Sequence, residues 1–106
     1  MDKRYNPLSL QEQMVLRRKA VEDVLAHPEW DLRRAVRHIR ETLRLTTREM
    51  AQLAGVSFRT LQDLEQGRST GTVQTLERLL GVLGLRLGVT AQPREEAPET
   101  PSSQAS

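Results

Sequence analysis

Phe58, Arg59 and Gln62 fall within one arc of a short helical pattern, on the side away from Leu61 and Leu64. Their chemistries complement base-pair edges. An arginine fork matches the O6 and N7 acceptors of guanine, a glutamine amide matches N6 and N7 of adenine, and an aromatic ring packs against a thymine methyl. Thr46, Thr47, Arg48, Ser57, Thr60, Arg68, Ser69 and Thr70 stand near the ends of the same short helices, and their hydroxyls and guanidinium groups suit phosphate oxygens. Asp63 lies at the edge of this arc, where an acid repels phosphate unless it accepts from a cytosine or an arginine. An alternative for Phe58 is a core position packed under the first helix.

The charge distribution fits either a polyanionic partner or a merely solvated basic face. The formal net charge is only +2, but residues 33–68 hold eight arginines, no lysine and four acids, for a local +4. The preceding residues 1–32 carry −1, residues 69–90 carry +1 and residues 91–106 carry −2. Arginine binds phosphate and guanine through a planar fork that lysine cannot copy. The 106-residue chain has no cysteine, and His27 and His38 alone cannot complete a usual zinc site, so neither metal nor cofactor is expected. The two histidines are read as structural. No pair of carboxylates, nucleophile and base, or phosphate-cradling loop stands out, so the chain is not expected to be an enzyme. No apolar run reaches the length of a signal-peptide core or a membrane span, which points to a cytoplasmic protein.

Five helices must position these groups. Ser9 with Glu12 forms a capping-box spacing for a first helix from Leu10 to about Ala26, halted by Pro28. Trp30 is placed to anchor the join to a second helix, about Leu32 to Leu45, capped by Asp31 and carrying Leu32, Ala35, Val36, Ile39 and Leu43 at helical spacing. A third helix spans about Thr47 to Ala54. Gly55 supplies the turn, and Ser57 caps a fourth helix that ends near Gly67. Thr72 begins a fifth, apolar along Val73, Leu76, Leu79, Leu80 and Leu83, ending at Gly84. Leu85, Leu87 and Val89 then alternate with Arg86 and Gly88, the period of a short strand. No second strand exists in the sequence to pair with it, so pairing with the same strand of another copy is expected. Three units result: an N-terminal arm and extra helix over 1–31, a helical domain with its strand over 32–90, and a Pro-, Glu- and Ser-rich tail over 91–106, expected to be disordered.

The run LRLTTREMAQLAGVSFRTLQDLEQGRS, from Leu43 to Ser69, resembles the Cro/Xre family of helix-turn-helix regulators. Leu45, Thr46, Glu49, Ala51, Gly55, Val56, Ser57, Leu61, Glu65 and Gly67 match its usual pattern in register, while Thr47 stands where the family usually has glutamine. The resemblance implies an all-α bundle whose fourth helix enters the DNA major groove. It also implies a structural ion pair between Arg40 and Glu65. The ending LLGVLGLRLGV is similar to HipB-type antitoxins. That second likeness implies a homodimer, joined through Leu85, Leu87 and Val89, that represses from a palindromic double-stranded DNA operator and neutralises a HipA-like kinase toxin. Two such recognition helices would sit roughly 34 Å apart.

Overall fold

Each helix begins at a side-chain oxygen that accepts from a backbone N–H of the first turn. Ser9 starts α1 (Leu10–Ala26), Asp31 starts α2 (Leu32–Thr42), Thr46 starts α3 (Thr47–Ala54), Ser57 starts α4 (Phe58–Glu65) and Thr72 starts α5 (Val73–Gly81). In α1 and α3 the cap is reciprocal, with Glu12 and Glu49 reaching back to the N–H groups of Ser9 and Thr46 at 2.9 Å. These contacts fix where the helices start, while packing of their apolar faces supplies most of the stability that an isolated eight-residue helix lacks in water. This computed structural model describes residues 8–91.

Helices α2 to α5 close around Val36, Ile39, Met50, Ala51, Leu61, Leu64, Leu76, Leu79 and Leu80, all buried. Ile39, Met50, Leu61 and Leu79 are wholly excluded from solvent, so truncating one to alanine should cost about 2 to 5 kcal/mol. Helix α1 lies against α2 and buries Ala20, while Leu10, Met14 and Leu25 remain exposed. Arg17, which interrupts the apolar stripe of α1, donates from Nη2 to the Val82 carbonyl at 2.6 Å and so ties α1 to the end of α5. Trp30 occupies the α1–α2 join, stacked on His27 at 4.3 Å between ring centroids and flanked by the Arg34 guanidinium at 4.8 Å. His38 meets Asp23 of α1 at 2.8 Å, so both histidines contact neighbouring side chains at this join.

Three expectations are corrected. Helix α2 ends at Thr42 rather than Leu45, because Arg44 takes a left-handed φ of 60° and the Leu45 N–H turns back to the Arg40 carbonyl. Helix α5 ends at Gly81 rather than Gly84, with turns following through a left-handed Gly84. The strand expected over Leu85, Leu87 and Val89 is absent among the described residues. The Leu85 N–H closes the helix end by donating to Leu80 O at 3.1 Å, and Leu85 and Leu87 pack on the core, while Val89 is fully exposed. The alternation of leucines here reflects packing onto the bundle, and a ladder would need a second strand. The tail expected to be disordered lies, beyond Ala91, outside the described residues.

Candidate nucleic-acid interface

The candidate surface is built from α3, a three-residue turn and α4. Gly55 closes α3 with φ 75°, a backbone region that strains residues bearing a Cβ. The next N–H, of Val56, returns to the Ala51 carbonyl at 3.0 Å. Ala51 is buried where the helices meet. Arg78 of α5 donates to the Gly55 carbonyl at 3.0 Å and so fixes the turn from outside. Ser57 Oγ accepts from the Thr60 N–H at 3.0 Å and donates to Thr60 Oγ1 at 2.7 Å. The Ser57 hydroxyl is thereby committed to starting α4, while Thr60 Oγ1 accepts from it.

On this frame Phe58 stands outside the core cluster, half-buried, with the Arg48 guanidinium 4.3 Å above its ring centroid. This contact disposes of the alternative that buried Phe58 beneath the first helix, and a cation over an aromatic face is attractive. Arg59 is 83% exposed, with Nε 3.9 Å from Oδ2 of Asp63. Gln62 is half-buried beside them on α4. Among the candidate phosphate contacts, Thr46 is engaged as the cap of α3, Thr47 is half-buried in its first turn, and Ser69 Oγ accepts from the Gly71 N–H at 3.0 Å. Thr70 is exposed. Arg68 is not a free cation: Nη2 and Nε donate to Asp63 at 2.7 and 3.0 Å, and Nη1 donates to Gln66.

Behind the surface, Arg40 joins α2 to the end of α4. Its Nε and Nη2 donate to the two carboxylate oxygens of Glu65 at 2.8 and 2.9 Å, and Nη1 reaches the Leu45 carbonyl at 3.2 Å. The hydrogen-bonded Glu65 carboxylate raises the Arg40 pKa above the ordinary arginine value. A two-pronged pair of this kind fixes orientation as well as distance. The contacts of Arg48 with Phe58 and of Arg78 with Gly55 span 10 and 23 residues of chain, and no local spacing in the sequence announces either.

A family described as a helix-turn-helix domain matches residues 31–93, more than half of the chain. The chain belongs to the helix-turn-helix domain family. In broad type it is a Cro/Xre-like helix-turn-helix, formed by α3, the turn at Gly55 and α4, and the family points to a DNA-binding regulator. No curated protein and no solved structure shows significant similarity to it. Among the described residues no helix of this helix-turn-helix protein is long and apolar enough to cross a membrane.

Proposed function

We propose that this helix-turn-helix protein is a sequence-specific repressor that acts in the cytoplasm as a homodimer on an operator with two similar half-sites. The observation that carries the reading is the outer arc of α4, where an exposed Arg59 and a half-buried Gln62 accompany the half-buried Phe58 ring and its Arg48 cover. Arg59 supplies a fork for guanine, Gln62 an amide pair for adenine, and Phe58 an apolar contact for a thymine methyl. Arg48 and the starts of α3 and α4 grip the backbone. The protein works by binding and uses no catalytic group, metal or cofactor.

A narrower form of the same reading is an antitoxin that also binds a HipA-like kinase toxin. It draws on the sequence likeness of the ending LLGVLGLRLGV to HipB-type antitoxins, whose strand is absent among the described residues, and on the apolar residues Leu10, Met14 and Leu25 that α1 leaves exposed to a protein partner. Fluorescence anisotropy with duplex DNA over a range of salt tests the general claim. Binding whose logarithm falls linearly with the logarithm of salt concentration, and which favours selected over random duplexes, supports it. Binding that ignores both salt and sequence overturns it. Sedimentation of the protein with a two-half-site duplex should give two copies per duplex.

A further inference from the structure

Asp63 places a negative charge one turn beyond Arg59 on α4, on a surface that has to approach phosphates. It is 27% exposed, and its two oxygens are divided between two arginines. Oδ1 accepts from Nη2 and Nε of Arg68 at 2.7 and 3.0 Å, while Oδ2 lies 3.9 Å from Nε of Arg59. Arg68 is held further by its own backbone N–H, which donates to the Asp63 carbonyl at 2.8 Å, and by the bond from Nη1 to Gln66. Three of its five N–H groups are therefore engaged within the protein, on a side chain that is 53% exposed. Arg59 is approached from the Nε side, which leaves both Nη groups at the end of the fork for O6 and N7 of a guanine.

We propose that Asp63 is a positioning residue that trades non-specific grip for sequence discrimination: its charge draws Arg59 toward one base and competes with the phosphates for Arg68. The inference rests on the assignment of Arg59 as a base reader. An arginine already drawn toward its base loses less conformational freedom when it docks there, which favours that base over a loose phosphate contact. Competition for Arg68 weakens a contact that every sequence would share equally.

Asp63→Asn keeps the shape and removes the charge. It should bind random duplex more tightly than wild type, with a salt slope steeper by about 0.9 for the phosphate contact that Arg68 gains. At the base pair blurred by Arg59→Ala, its discrimination should fall by about 5-fold or more, within the range one bidentate contact supplies. Arg68→Gln reports the same relation without altering Asp63. It should change random-duplex affinity by less than about 2-fold in the wild-type background and by more in the Asp63→Asn background, where the cation has been released. Unchanged slope and unchanged base profile in Asp63→Asn overturn the proposal. Discrimination lost at a different base pair also overturns it, because Asp63 would then be reading a cytosine itself. If wild type selects sequence but Arg59→Ala blurs no base, the base-reading assignment has failed and the role of Asp63 falls with it. If Arg59→Ala blurs a base that Asp63→Asn leaves sharp, the role of Asp63 alone has failed.

Discussion

Arg48 lays its guanidinium over the ring of Phe58, 4.3 Å from the centroid, and so joins the first turn of α3 to the first turn of α4. Two helix N-termini, each with a partial positive charge, and one full charge thus contribute to a single region. Arg48→Ala should weaken binding to all duplexes alike and flatten the salt slope by about 0.9. Phe58→Ala should release Arg48 and also remove a thymine contact, so its loss should depend on sequence. Salt titrations of both variants on several duplexes separate the two effects. A sequence-independent loss from Phe58→Ala would reduce the ring to a support for Arg48.

Arg40→Ala leaves the Glu65 carboxylate, 8% exposed, without its partner. Removing one side of a buried pair typically costs about 3 to 5 kcal/mol, and the figure here should fall at the lower end because Arg40 keeps 17% exposure. Urea denaturation should show it. The double replacement Arg40→Met with Glu65→Leu should recover most of the loss, because two apolar groups leave no orphaned charge. An Arg40→Ala protein as stable as wild type would contradict the structural role.

The C-terminal segment gives a pair of opposed outcomes. Leu87 packs on the core, whereas Val89 is fully exposed. Leu87→Glu should lower the melting temperature, and Val89→Glu should leave it unchanged. If Val89→Glu instead converts dimers to monomers in sedimentation, the segment belongs to an interface between copies.

The Asp23 carboxyl is held below the ordinary aspartate range, first by its hydrogen bond to His38 and then by Lys19. His38 also meets the Thr42 hydroxyl at 3.2 Å, and Lys19 Nζ lies 3.1 Å from Asp23. A depressed carboxyl stabilises the fold fully above its unfolded value of about 4 and loses that contribution as pH falls through its lower folded value. Asp23→Asn should therefore be less stable than wild type at neutral pH, and the difference should vanish in strong acid. Thermal melts of the two proteins across acidic pH check the sign. A difference that grows on acidification would contradict it.

Much of this architecture was legible because it is locally encoded. Ser9, Asp31, Thr46, Ser57 and Thr72 are caps whose partners lie three residues away, and Gly55 marks its turn by the conformation it permits. The end of α2 was not legible, since a left-handed arginine at position 44 carries no compositional signal. Alternation misled at Leu85, Leu87 and Val89 because two leucines packed on a helical bundle look like one face of a strand. At the candidate site, the arc of Phe58, Arg59 and Gln62 followed from helical spacing alone. What neighbours do to these side chains did not, because Arg48 over Phe58 is a tertiary contact and Arg68 has several acceptors within reach of a flexible stem.

The most direct measurement of the central claim is selection from a genomic DNA library at near-physiological salt with wild type and Arg59→Ala, followed by sequencing of the bound fragments. The account predicts that wild type enriches a two-fold symmetric site and that Arg59→Ala blurs one base position in each half-site, with each good contact worth about 1 to 3 kcal/mol. No enrichment by wild type, or an equal loss on every sequence from Arg59→Ala, would contradict it.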